Sequence, residues 1–129
     1  MSGTPSSGIG CSCMEHNVQA YLYDIVTACR HITSFTAQMT LESYSADIRT
    51  KAACERMFEI IGESLRRIRT DFPDIFSHIP GANQIIAFRN IIAHGYDIID
   101  DDVVWSSITN EVPPLTHLCA QLLNDPQGS

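Results

Sequence analysis

Residues 46–70 have the sequence ADIRTKAACERMFEIIGESLRRIRT, and this stretch decides the fold class. Its apolar residues recur mostly at steps of three and four: they are Ile48, Ala52, Met57, Ile60, Ile61, Leu65 and Ile68. This spacing places them on one face of an α-helix, while charged residues fill most of the other positions. We therefore predict a long, half-buried helix over 46–70, with Ser45 as its N-cap.

Two neighbouring stretches have the same helical spacing. The first covers residues 15–39 and contains Val18, Leu22, Ile25, Val26, Cys29, Ile32 and Phe35; the second covers 82–93 and contains Ile85, Ile86, Phe88, Ile91 and Ile92. Thr40 and the residues after it predict a cap and a short helical turn, and Pro73 predicts a loop from 71 to about 81. We expect the helix over 82–93 to end at Gly95, a residue suited to a C-terminal cap.

The sequence after residue 100 predicts one more helix, with an interruption in it. Asp100, Asp101 and Asp102 precede Val103, Val104, Trp105, Ile108 and Val112, and the double proline at 113 and 114 must kink or restart the helix before Leu115. The sequence has no hairpin signal and no internal repeat. We predict an all-α, up-down bundle of four or five helices over 14–124, between a flexible leader (1–13) and a frayed end (125–129).

Composition and charge exclude several classes of protein. The chain has 129 residues, 8 Lys+Arg and 15 Asp+Glu, which give a formal net charge of −7. Such a chain forms one domain and lacks the broad basic surface with which many proteins bind nucleic acid, so any phosphate chemistry must be local. No stretch has the roughly 18 consecutive apolar residues of a membrane span, and the N-terminus lacks the pattern of a signal peptide. We expect a cytoplasmic protein that binds neither membrane nor DNA.

The sequence gives little support for a metal site or a cofactor. The cysteines at 11, 13, 29, 54 and 119 form no CxxC pair and no zinc spacing, and we expect Cys29, Cys54 and Cys119 to be buried, reduced thiols. Two interpretations of Asp100–Asp102 are open: helix caps, or ligands of a magnesium ion. We favour caps, because three adjacent side chains point in different directions.

Three arginines, Arg66, Arg67 and Arg69, lie near the end of the predicted helix over 46–70. Cations are favoured there by the partial negative charge of a helix C-terminus, which explains them without any function. The alternative is that they form the concentrated phosphate-binding patch of an otherwise acidic protein.

Residues 88–96, FRNIIAHGY, contain the candidate catalytic groups. Asn90 and His94 are four residues apart and share a helix face, whereas Arg89 must reach back toward His94 or meet it across a dimer axis. An imidazole can move a proton at cellular pH, and a guanidinium can stabilise negative charge on phosphorus oxygens. These types suit RNA cleavage by internal attack of the 2′-OH, without a metal. The alternative is a histidine that caps its helix beside a surface arginine.

The motif resembles that of the HepT-like ribonuclease toxins of the HEPN superfamily, in which an arginine is followed after four residues by a histidine and then, one residue on, by a tyrosine. Arg89, His94 and Tyr96 fit it, with the polar Asn90 also in place. The similarity extends over roughly 17–123 and includes the stretches YLYDI (21–25), EIIGE (59–63), VW (104–105) and NEVPPL (110–115).

The resemblance implies an all-α homodimer with its Arg/His motifs near the subunit interface and metal-independent endoribonuclease activity on RNA. It also implies a partner, an MntA-like nucleotidyltransferase antitoxin that silences the toxin by transferring AMP to the motif tyrosine, here Tyr96. Added phosphates beside Arg89 would repel an RNA backbone. The alternative function is a non-catalytic helical protein that is only the substrate of such a transferase.

Glu63 has two interpretations as well. It follows Gly62 near the end of its helix, where it could orient His94 or Arg89. A solvated or structural glutamate would look the same in the sequence.

Overall fold

The computed structural model describes the backbone of residues 9–93 and 100–124 and the side chains of 18–91 and 100–124. In these ranges the chain forms seven helices and no strand: α1 (Ile9–Phe35), α2 (Leu41–Ala46), α3 (Ile48–Asp71), α4 (Pro73–Phe76), α5 (Ala82–Ala93), α6 (Asp101–Asn110) and α7 (Val112–Asn124). The all-α bundle predicted from the sequence is confirmed, and two short helices, α2 and α4, accompany the five longer ones.

Helix α3 packs against α1 and α5 and also contacts α2 and α4, while α1 packs against α7 as well. Most of the side chains that fill the core come from the periodic positions of the longer helices, as the spacing predicts, but Phe35, Ile48 and Ala52 of the predicted apolar faces are exposed. The largest fully buried side chains are Tyr44, Phe58, Leu22, Ile25, Ile32, Ile61, Leu65, Ile68, Val104 and Val112. Trp105 is half-buried and packs on Tyr44, with ring centroids 5.4 Å apart.

The three cysteines expected in the core are there. Cys29, Cys54 and Cys119 are buried and free, and burial raises the pKa of their thiols to about 11, 11 and 12 respectively. They are therefore protonated at neutral pH and behave as small apolar side chains. Cys11 and Cys13 lie outside the described side chains.

Helix α1 differs from the prediction at both ends. It begins at Ile9, so residues 9–13 of the predicted leader are helical; no proline lies between them to stop the helix. It ends at Phe35 rather than near Met39, because the amide of Met39 bonds the carbonyl of Thr36 in a turn tighter than the helical step. Residues 1–8 and 125–129, the remaining parts of the predicted leader and frayed end, lie outside the described residues.

The cap predicted at Ser45 was wrong. The N-cap of α3 is Asp47, whose carboxylate accepts bonds from the Thr50 amide (3.1 Å) and the Thr50 hydroxyl (2.9 Å). Ser45 lies inside α2, where its hydroxyl donates to Asp101 at 2.6 Å. A carboxylate that accepts two bonds at once outcompetes a nearby serine hydroxyl for this role. The short helical turn predicted after Thr40 is confirmed as α2, which begins with a capping box between Thr40 and Ser43.

Three prolines lie in the first turn of a helix. The predicted loop over 71–81 contains α4, and Pro73 is its first residue, where the missing N–H costs nothing. Pro113 and Pro114 lie in the first turn of α7, so the predicted interruption is a restart. The end expected at Gly95 lies outside the described residues. Each helix in the described part of the chain is too short or too polar to span a bilayer.

Candidate active site

Helix α5 fixes the position of Arg89. The residue before it, Phe88, is buried and meets Phe58 of α3 edge to face, with ring centroids 5.1 Å apart. Arg89, next on the helix, is half-buried at the junction with α3, and its Nη1 donates to Oδ1 of Asn90 at 3.1 Å. Helix α5 is described as far as Ala93, the residue before His94. His94 and Tyr96 lie outside the described residues, so Arg89 and Asn90 represent the motif here.

Gly62 allows α5 to approach α3 at this point. It lies in the middle of α3 and is buried; a Cβ atom added to it would lie 2.3 Å from Cβ of Arg89 and 2.6 Å from its Cγ. Carbon atoms pack best at about 3.5–4.0 Å, so only glycine fits. The guanidinium stem of Arg89 therefore lies directly on the backbone of α3. Spacing along the chain could not reveal this contact, although a glycine inside an apolar helix is itself a sign of close packing.

Glu63 gathers three guanidinium groups around one carboxylate. Arg66 binds it with two bonds, at 3.2 Å from Nε and 2.8 Å from Nη2. Nε of Arg67 donates at 3.0 Å, and Nη2 of Arg89 lies 3.5 Å from Oε1. These cations, Arg66 foremost, hold the pKa of Glu63 down at about 2, against an ordinary 4.5, although partial burial opposes them. Glu63 is thus ionised at neutral pH. It lies beside Arg89, one of the two residues that we expected it to orient.

Beside this cluster a groove of about 320 Å³ opens between α1 and α3. It has a mixed lining of charged, polar and apolar side chains: Tyr21, Asp24, Arg56, Glu59, Ile60, Glu63, Ser64, Arg67 and Arg89. Glu63 and, to a smaller extent, Tyr21 of α1 raise the pKa of the Arg67 guanidinium, so Tyr21 lies close to it. Arg56 pairs with Glu59 at 3.3 Å on the same lining. Sequence reasoning missed Tyr21, since nothing in its spacing points to Arg67.

Among the described residues, the Arg89 guanidinium has more N–H donors than partners, which leaves donors for a ligand. Of the five N–H groups of an arginine, one on Nη1 donates to Asn90, and one on Nη2 faces Glu63. Its Nε is buried and has no partner among the described residues. The remaining terminal N–H groups can bind an anion such as a phosphate oxygen.

The three arginines predicted as a phosphate patch have different partners in the structure. Arg66 and Arg67 share Glu63, whereas Nη1 of Arg69 donates to Oδ1 of Asn83 at 2.9 Å and ties the end of α3 to the first turn of α5. Arg66 and Arg67 are therefore in the same charge cluster as Arg89, and Arg69 is engaged elsewhere.

Two of the aspartates at 100–102 have structural partners for their side chains. Asp100 is the N-cap of α6 and accepts a bond from the Asp102 amide at 2.9 Å, as predicted. Asp101 accepts from Nζ of Lys51 at 3.1 Å as well as from Ser45. Across the side chains that the structure describes, no three metal-ligating groups come together.

Comparison with known proteins places the chain in a family. The family model described as "Ribonuclease HepT-like" matches residues 25–122. "Putative RNase MJ0127" of Methanocaldococcus jannaschii is 29% identical over 114 residues, which cover 88% of this chain and 93% of that protein. "Probable ribonuclease HepT" of Thermococcus cleftensis is 31% identical over 102 residues, 79% of this chain and 92% of its own length. No solved structure matches significantly.

These matches cover the helices that place Glu63 and Arg89, and they confirm the family predicted from the sequence. The chain therefore belongs to the HepT-like ribonuclease family and is an enzyme of the endoribonuclease class.

Proposed function

We propose that the chain is a metal-independent endoribonuclease and the toxin of a HepT/MntA-like toxin–antitoxin pair. The observation that supports it best is the Arg89 guanidinium, which Gly62 and Glu63 hold beside a groove and which has N–H groups that no described residue binds. Its helix leads directly to His94. A fixed cation next to a titratable imidazole is the pair of groups that phosphodiester cleavage by internal attack requires.

In the proposed reaction the ribose 2′-oxygen attacks the adjacent phosphorus, and the bond from phosphorus to the 5′-oxygen of the next nucleotide breaks. His94 takes the proton of the 2′-OH, and a second donor, for which the Tyr96 hydroxyl is the candidate, protonates the leaving 5′-oxygen. Arg89 stabilises the charge that builds on the non-bridging oxygens. Asn90 orients the guanidinium through the bond it already accepts. The products are a 2′,3′-cyclic phosphate end and a 5′-OH end.

We also propose that the enzyme acts as a homodimer, which would bring two copies of the motif together. The chain has a net charge of −7, so a single Arg89 cluster offers little attraction for RNA. Arg66 and Arg67 lie in that cluster and are the candidate contacts for a second phosphate, while Arg69 is the weaker candidate because it already binds Asn83.

The proposed regulator is a minimal nucleotidyltransferase that transfers AMP from ATP to the Tyr96 oxygen and releases pyrophosphate. The negative charge of the adenylate beside Arg89 would compete with the RNA phosphate for the same guanidinium. Intact mass after expression with such a transferase should show discrete AMP increments, and Tyr96→Phe should show none. Increments that persist in Tyr96→Phe would place the modification elsewhere.

The direct test of activity is incubation of purified, AMP-free protein with structured RNA in excess EDTA. We expect cleavage products with cyclic phosphate ends, and their loss in a folded His94→Ala variant. Intact RNA with the wild-type protein, together with AMP transfer to Tyr96, would instead identify the chain as a non-catalytic substrate of the transferase.

A further inference from the structure

The carboxylate of Glu63 is placed between two groups of cations. On one side Arg66 makes two bonds to it and Arg67 makes one, all at 3.2 Å or less. On the other side lies the Arg89 guanidinium, at 3.5 Å. The Arg89 contact is the longest of the set, so Arg66 and Arg67 determine where the carboxylate lies and the carboxylate limits where Arg89 can go.

Arg89 is held at three places before any ligand arrives. Its Cβ and Cγ lie against the backbone of α3 at Gly62, one terminal nitrogen binds Asn90, and the other faces Glu63. An arginine side chain that is free in solvent loses rotamer entropy when it is fixed. Here that cost is met on folding, so the guanidinium is preorganised for its ligand.

Glu63 restrains Arg89 without neutralising the cluster, because one carboxylate faces three guanidinium groups. A phosphate that binds the remaining terminal N–H groups of Arg89 leaves the 3.5 Å contact with Glu63 in place, while Arg66 and Arg67 hold the carboxylate. Coulomb attraction to the remaining arginines would still favour the anion.

From these contacts, and resting on the proposed function, we infer that Glu63 is a positioning residue of the nuclease site: it orients the Arg89 guanidinium toward the scissile phosphate from a carboxylate held by Arg66 and Arg67. Glu63 itself does not touch the RNA. Its effect should appear in the chemical step, where the direction of the Arg89 donors matters most.

The matched pair of variants is Glu63→Gln and Glu55→Gln. Both residues are half-buried on α3, but Glu55 lies about two turns before Glu63 and does not line the groove. Under the inference, Glu63→Gln lowers kcat about 10- to 100-fold and changes KM less than about threefold, while Glu55→Gln stays within about twofold in both. Glu63→Gln added to Arg89→Ala should have no further effect, since Glu63 acts through Arg89.

A readout independent of catalysis separates this inference from the proposed function. In protein labelled with ¹⁵N-arginine, the Nε–H resonance of Arg89, assigned by its loss in Arg89→Lys, should be sharp and distinct. This resonance should broaden or move toward the resonances of exposed arginines in Glu63→Gln and stay unchanged in Glu55→Gln. A resonance that is unchanged in Glu63→Gln would overturn the positioning role. Wild-type protein that leaves RNA intact, with the resonance behaving as expected, would overturn the proposed function alone.

Discussion

Replacing Gly62 with alanine adds a Cβ atom 2.3 Å from Cβ of Arg89 and 2.6 Å from its Cγ. The nearer atom is attached directly to the α5 backbone and cannot rotate away. To restore a contact of about 3.5–4.0 Å, α5 must move from α3 by about 1.5 Å at this point. The Arg89 guanidinium would move with it, away from Glu63 and from the groove.

The expected cost in stability is small and the expected cost in activity is large. Overpacking of this kind costs about 1–3 kcal/mol, and the better helix propensity of alanine returns about 1 kcal/mol. The net loss in the free energy of unfolding is therefore about 0–2 kcal/mol. A displacement of about 1 Å in a catalytic group can lower the rate about 100-fold, so we expect Gly62→Ala to lose at least that much RNA cleavage.

Denaturant unfolding and single-turnover RNA cleavage measure the two effects separately. Ala52, exposed on the same helix, supplies the control: Ala52→Gly gives the helix-propensity term alone and should leave cleavage unchanged. The double variant Gly62→Ala/Arg89→Gly removes the clash and should be more stable than the sum of the two single changes indicates. If Gly62→Ala were stabilised by about 1 kcal/mol and fully active, the close approach of α5 to α3 would be refuted.

Three further predictions concern stability. Because the pKa of Glu63 falls from 4.5 to about 2 on folding, its contribution is present above pH 4.5 and is lost as the pH falls toward 2, so unfolding curves of Glu63→Gln should depend less on pH in that range. Asp100→Ala removes the N-cap bond to α6 and should cost about 1 kcal/mol in urea unfolding, whereas Asp100→Asn should cost far less. Phe58→Ala empties a fully buried site against Phe88 and should cost about 3–5 kcal/mol; a loss below 1 kcal/mol would contradict the packing of α3 on α5.

The long helices were predictable because their apolar residues follow the helical period over many turns. The bounds predicted for α3 and α5 differ from the structure by at most two residues at either end, if the end expected at Gly95 is left aside. The ends of the helices were harder to predict, since several neighbouring residues can serve as a cap. In the structure Asp47, not Ser45, is the N-cap of α3, because its carboxylate accepts two hydrogen bonds. From the sequence, Pro73 predicts only the end of the helix before it, whereas in the structure it also begins α4.

The candidate site was predictable in its residues but not in its contacts. Arg89 and Asn90 follow from the motif, and Glu63 was identified as a residue that could orient Arg89. The contact of Gly62 with Arg89 and the separation of Arg69 from Arg66 depend on how α5 packs against α3. That packing joins residues more than ten positions apart, and helical periodicity contains no information about it.

The central claim is that RNA is cleaved at the Arg89 cluster. The most direct test is the single-turnover rate of RNA cleavage in excess EDTA for the wild-type protein, Arg89→Ala and Arg49→Ala. Arg49 is an exposed arginine in the first turn of α3, about 21 Å along the helix from Glu63. We predict that Arg89→Ala lowers the rate about 100- to 1000-fold while Arg49→Ala stays within about twofold. Equal cleavage by the wild-type protein and a folded Arg89→Ala variant would contradict the claim.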